Sequence, residues 1–167
     1  SFKEIKSPNV TKAQLTQDLL ESLKKLEGTI EYQKAVGFFR NGKFYPYIDT
    51  NGHATIGYGH KILQGEDFSN GITPQQADQI LIKDAQIAIQ GANRLLSNVP
   101  VTQEASQIIA NMVFQMGAEG VAGFPKMWEA LQKHDYYEAS LEMLDSKWAK
   151  EDSPNRAKEL AEKMRNQ

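Results

Sequence analysis

Asp49-Thr50-Asn51-Gly52-His53-Ala54-Thr55-Ile56-Gly57-Tyr58-Gly59-His60 decides how this chain is read. An Asn-Gly pair between β-forming residues signals a tight hairpin, here with Tyr47-Ile48 as one arm and Ala54-Thr55-Ile56 as the other. The turn leaves a carboxylate, Asp49, at the end of one strand and a hydroxyl, Thr55, on the next. A second carboxylate, Glu27, lies upstream where a helix should end. Two carboxylates and a threonine around one cleft are the groups that glycosidic bond cleavage needs.

Upstream of this stretch the same turn device occurs once more. Phe38-Phe39-Arg40-Asn41-Gly42-Lys43-Phe44-Tyr45 is an Asn-Gly hairpin with aromatic arms. Pro46 between the two hairpins suits an edge or a bend. A small antiparallel sheet of about three strands or more is expected. Before it, Thr11-Lys12-Ala13-Gln14 reads as a capping box. Leu15, Leu19, Leu23 and Leu26 recur at helical spacing and Gly28 supplies the stop, which predicts a helix over 12–27 ending on Glu27.

Downstream the chain is helical. Thr73-Pro74-Gln75-Gln76 combines an N-cap, a first-turn proline and a reciprocal Gln, opening a helix of about 74–97. Thr102 caps an apolar helix through Ile108, Ile109, Met112, Val113 and Met116, stopped by Gly117. Shorter helices follow near Pro125–Lys133 and Tyr136–Trp148, and Ser153-Pro154 starts the last.

Composition narrows the class. The 167 residues suit one domain, and 40% apolar with 24% charged residues is ordinary for a globular chain. No cysteine is present, so neither a disulfide scaffold nor a thiolate metal site is available. His53, His60 and His134 fit no metal-ligand spacing. No apolar run reaches the roughly 18 residues of a membrane span, and the polar start is no signal peptide. A net charge of −2 argues against nucleic acid as a partner.

Several blocks carry a resemblance. Asn111-Met112-Val113-Phe114-Gln115-Met116-Gly117 with Gly120-Val121-Ala122-Gly123-Phe124, Asp49…Gly52…Thr55-Ile56-Gly57…Gly59-His60, and Pro154-Asn155-Arg156-Ala157-Lys158 resemble the phage-type lysozymes of the T-even kind. The blocks keep the same order and span most of the chain. These are muramidases, which hydrolyse the β-1,4 bond between N-acetylmuramic acid and N-acetylglucosamine in peptidoglycan.

The resemblance implies an α+β fold, mainly helical and two-lobed, with a small antiparallel sheet and a long linking helix. It divides the chain into a polar leader over 1–10 and one lysozyme domain over 11–167. Within that domain the small β-containing lobe covers about 28–73 and the linking helix about 74–97. The helical lobe covers about 98–167 together with helix 12–27. It also implies roles: Glu27 as the general acid, and Asp49 with Thr55 as the pair holding the attacking water. His60 pairs with Asp84 and Arg156 pairs with the acid, both as structural support. Phe114, Gln115 and Trp148 wall the sugar cleft. The reaction it implies is inverting and needs no cofactor or metal.

Peptidoglycan glycan strands are then the partner, with phage tail or inhibitor proteins as further ones and no membrane insertion. The implied place of action is the periplasm, on the wall, after synthesis in the bacterial host cytoplasm. The Ser1 start, the polar leader and the mildly acidic charge favour a virion-tail lysozyme domain over a free endolysin.

This chain departs from the family pattern in two places. Glu27 and Asp49 are 22 residues apart, much further than in the family, with Tyr32–Phe44 as the added material. Its Arg40–Lys43 tip is expected to extend the cleft wall. The stretch between Trp148 and Arg156, Ala149-Lys150-Glu151-Asp152-Ser153, is one residue longer than in the relative and acidic.

Plainer readings stand beside these roles. Glu27 is also an ordinary solvated helix end with Glu31 as its local rival, Asp49 an ordinary turn residue, and Phe114 and Trp148 ordinary core. A catalytically impaired peptidoglycan-binding or structural tail module is the competing function. A lytic transglycosylase is a third, which would not need the Asp49/Thr55 pair.

Overall fold

A computed structural model describes residues 9–167 of the chain. Most of the polar leader expected over 1–10 therefore lies outside the described residues. The chain forms two compact units, one of residues 15–86 and one that joins Ile87–Gln167 to the residues up to Gln14. Among the described residues no helix is long and apolar enough to cross a membrane.

The first unit opens with α1 (Gln17–Glu27). Its start differs from the capping-box expectation at Thr11. Thr16 is the N-cap, and its hydroxyl accepts from the Leu19 amide at 3.1 Å. The described residues up to Gln14 are non-helical and belong to the other unit, where Val10 and Val101 exchange backbone hydrogen bonds and the Ala13 amide donates to Asn93 Oδ1. Those distant partners outbid the local Thr11 box. At the other end Gly28 caps the helix at φ 124, a backbone region that a Cβ would strain.

A short helix, α2 (Ile30–Ala35), follows at once, capped by Thr29. Next come β1 (Phe39–Arg40) and β2 (Lys43–Phe44), paired antiparallel as a two-stranded sheet. Asn41 and Gly42 turn between them with φ of 53° and 76°, the double positive φ of a type I′ turn. A separate three-stranded sheet has the order β3 (Tyr47–Ile48), β4 (Ala54–Ile56), β5 (His60–Lys61). Aromatic packing seats the first hairpin. Phe44 is fully buried, edge-on to Phe39 and to Tyr58. Phe38 stacks on Tyr47 with ring centres 4.3 Å apart.

α3 (Pro74–Leu96) runs from the first unit into the second. Its Thr73–Gln76 box forms as read, with the Gln76 side chain accepting from the Thr73 amide and Thr73 Oγ1 from the Gln76 amide. In the first unit Asp78 pairs with Lys24 of α1 at 2.8 Å.

The helical unit is built from α4 (Gln103–Ala122), α5 (Pro125–Gln132), α6 (Tyr136–Leu144) and α7 (Pro154–Arg165). α4 is broken at Gly117, with φ 78 and ψ 163, where the sequence reading placed its stop. Ile109, Met112, Met127, Leu131, Met143, Leu160 and Met164 fill the core of this unit. Residues 148–152 form one turn of π-helix, closed by the Ser153 amide on the Trp148 carbonyl at 2.8 Å. A π-turn takes up one residue more than an α-turn without breaking the chain direction.

Candidate active site

Asp49 ends β3 and closes its own turn. Its Oδ1 accepts from the amides of Asn51 at 2.9 Å and His53 at 2.8 Å, while its backbone amide donates to the His53 carbonyl. Its Oδ2 faces His53 Nδ1 at 3.6 Å. Partial burial would raise the Asp49 pKa. The two amides, with His53 and Lys61 nearby, outweigh that and hold the carboxyl below the ordinary range. The turn reading and the ionised-carboxylate reading of Asp49 are thus one geometry.

Thr55 sits on β4, directly opposite Tyr47 on β3, and is buried. Its hydroxyl donates to the His53 carbonyl at 2.9 Å. The proton is committed there, so the oxygen's lone pairs are the groups left to meet a ligand.

Glu27 is the last residue of α1, and the turn after β4 receives it. A Cβ built on Gly59 would strike the Glu27 carboxyl, lying 2.6 Å from its Cδ, so the carboxyl rests against the bare glycine backbone. Gly59 has φ 78 and cannot take a side chain without strain in any case. Tyr47, opposite Thr55, is partly buried. Burial first, then the fields of Glu27, Asp49 and Tyr32, push its phenol up to about 12. The phenol therefore stays neutral near pH 7. Tyr47 escaped the sequence reading, although its place opposite Thr55 in the hairpin register was the available signal.

His60, on β5, donates between two carboxylates. Nδ1 is 2.7 Å from Asp84 Oδ2 on α3, and Nε2 is 3.0 Å from Glu66 Oε1. The Asp84 hydrogen bond, opposed by burial and reinforced by Glu66, raises its pKa to about 9. Glu66, which also accepts from the Leu63 amide at 2.7 Å, is the partner that sequence reasoning missed.

The remaining predicted residues belong to the helical unit. Trp148 is buried, edge-on to Phe124, and its indole N–H donates to Gln115 Oε1 at 2.8 Å. Gln115 Nε2 in turn donates to Ser153 Oγ at 2.7 Å. Trp148 thus holds Gln115 in one orientation. Phe114 and Gln115 are half-buried on α4. Arg156, 7% exposed, grips Asn111 through Nε and Nη2, with Nη2 2.7 Å from Oδ1. A groove of about 520 Å³ opens in this unit beside Phe124, Pro125, Ser146 and Trp148.

At the tip of the first hairpin both cations make local contacts. The Arg40 guanidinium lies 4.0 Å over the Tyr45 ring and donates to the Gly37 carbonyl. Lys43 Nζ reaches the Asn70 carbonyl at 3.5 Å. These local contacts occupy part of the donor capacity of both cations.

A family model described as phage lysozyme matches residues 39–165. The chain belongs to the phage lysozyme family. It is 28% identical over 131 residues to a probable T4-type lysozyme of Dictyostelium discoideum, covering 64% of this chain and 77% of that one. It is 26% identical over 140 residues to the peptidoglycan hydrolase gp36 of Pseudomonas phage phiKMV, covering 83% of this chain but 15% of that longer protein. An endolysin of Bacillus phage PZA is 36% identical over 77 residues, 45% of this chain and 28% of its own. Membership makes the chain a lysozyme, an enzyme of muramidase-type cell-wall hydrolysis. The matched span begins at Phe39, so Glu27 and α2 lie ahead of it.

Proposed function

We propose that this lysozyme hydrolyses the β-1,4 bond between N-acetylmuramic acid and N-acetylglucosamine with inversion at the anomeric carbon. Glu27, in its protonated form, donates to the departing glycosidic oxygen. A water on the opposite face of the ring gives one hydrogen bond to Asp49 Oδ2 and one to the Thr55 oxygen, and its lone pair attacks the anomeric carbon. Asp49 accepts the proton as the C–O bond forms. The leaving sugar departs with the proton from Glu27, so charge balances over the step.

The observation that carries this reading is the Glu27 carboxyl seated on Gly59, in the turn that directly follows the strand bearing Thr55, with Asp49 at the end of the strand paired to it. The Thr55 hydroxyl, spent on the His53 carbonyl, supports the acceptor role given to its oxygen. In the helical unit Phe114 and Gln115 are the proposed sugar contacts, with Trp148 behind Gln115 and Arg156 as support. We place the action on bacterial peptidoglycan in the periplasm, during phage infection or host lysis.

Turbidity clearing of purified peptidoglycan by wild type beside Glu27→Gln tests the reading. The amide cannot donate the catalytic proton, so activity should fall by about 10²–10⁴-fold in a folded protein. Retention of more than about a tenth of the activity removes Glu27 as the acid. Finding 1,6-anhydro ends among the wild-type products would replace hydrolysis with transglycosylation.

A further inference from the structure

Gln33 is a polar side chain buried to 1% exposure, on a helix of only six residues in the stretch between Glu27 and Asp49. Its side-chain nitrogen donates twice, to the Gly28 carbonyl at 2.9 Å and to the Gly57 carbonyl at 2.9 Å. Gly28 follows Glu27 directly and caps α1. Gly57 opens the turn whose other glycine, Gly59, receives the Glu27 carboxyl.

Both anchor points need such a tie. Gly28 and Gly57 have φ of 124° and 64°, and glycine backbone is freer to drift than any other. Among the described residues the side-chain oxygen of Gln33 has no partner, so its amide is oriented by the two donated bonds. The reversed amide would set its oxygen against two carbonyls, which fixes the assignment. Burying an amide with one unpaired oxygen costs free energy, and a residue that filled space alone would be better apolar.

We propose that Gln33 is a positioning residue of the lysozyme reaction, an amide clamp that fixes Glu27 between the end of α1 and the Gly57–Gly59 turn. This rests on the reading of Glu27 as the general acid. Thr29 belongs to the same device, because its hydroxyl accepts from the Tyr32 amide at 3.2 Å and starts the helix that carries Gln33. The stretch between Glu27 and Asp49 thereby contributes to catalysis through the backbone on either side of Glu27.

The test measures kcat and KM on soluble, uncross-linked glycan strands for wild type, Gln33→Met, Thr29→Ala and Glu27→Gln. Methionine keeps the volume and removes both donors. A small displacement of a reacting group can cost about 10²-fold, so Gln33→Met should lower kcat by about 10–100-fold with KM within about twofold of wild type. Adding Gly59→Ala to Gln33→Met should cost less than Gly59→Ala costs alone, since both loosen one placement. A purely structural Gln33 would lower the melting temperature and leave kcat, read well below melting, unchanged. That result, with Glu27→Gln inactive, overturns the clamp and leaves the proposed reaction standing. An active Glu27→Gln overturns both. Should Gln33→Met not fold, Thr29→Ala decides: a several-fold loss in kcat at unchanged KM supports the clamp, and wild-type kcat ends it.

Discussion

The Glu27 carboxyl occupies the space that a methyl group on Gly59 would fill. One glycine therefore sets where the acid can stand relative to the β4–β5 turn. Gly59→Ala tests this contact, and its two costs are separable. The positive φ of 78° strains any L side chain by about 1 kcal/mol, or a few degrees of melting temperature. The steric conflict is relieved by moving the flexible end of Glu27, which is cheap for the fold and, in the proposed reaction, expensive for proton donation. Activity should fall by about tenfold or more while the protein stays folded at 25 °C. A variant with normal kcat would show that the carboxyl need not rest on Gly59.

His60 between Asp84 and Glu66 gives a pH-dependent stability. Its pKa rises from 6.5 to about 9 on folding, through the Asp84 hydrogen bond first. The proton is thus bound more tightly in the folded chain. The resulting stability is fully present below pH 6.5 and fades as pH rises through about 9. Its size is on the order of 2–3 kcal/mol. His60→Asn should therefore destabilise strongly at pH 6 and far less at pH 10, with kcat near neutral pH little changed. Urea unfolding at the two pH values reads the difference. Equal losses at both would exclude a charged His60.

Local signals reached some parts of this molecule and not others. The Asn41-Gly42 and Asn51-Gly52 hairpins, the Thr73–Gln76 box and the break at Gly117 each depend on residues a few positions apart, and the sequence displays them directly. The start of α1 did not show, because Thr11 and Thr16 are equally good caps and the choice was made by Val101 and Asn93. Gln33 offers the same lesson at the site. Nothing in the six residues of α2 marks a glutamine for burial; its reason is the Gly57 carbonyl, 24 positions away. His53 fitted no metal-ligand spacing and Glu66 carried no local signal, yet they stand beside Asp49 and His60. Asp49 and Thr55 were legible because one short turn carries both.

Trp148 and Gln115 offer the remaining test, in the helical unit. The buried indole N–H holds the Gln115 oxygen at 2.8 Å, leaving the Gln115 nitrogen for Ser153 Oγ. Trp148→Phe keeps much of the packing against Phe124 but deletes the donor. A lost hydrogen bond with an unsatisfied acceptor behind it costs about 1–3 kcal/mol, so the melting temperature should fall by several degrees. If Gln115 meets substrate only when held this way, KM for glycan strands should rise by about threefold to tenfold with kcat nearly unchanged, the mark of lost ground-state binding. Gln115→Ala should raise KM by a similar factor, and combining the two should add little. A Trp148→Phe enzyme with wild-type KM but a lowered melting temperature would make the pair a piece of core packing with no part in holding sugar.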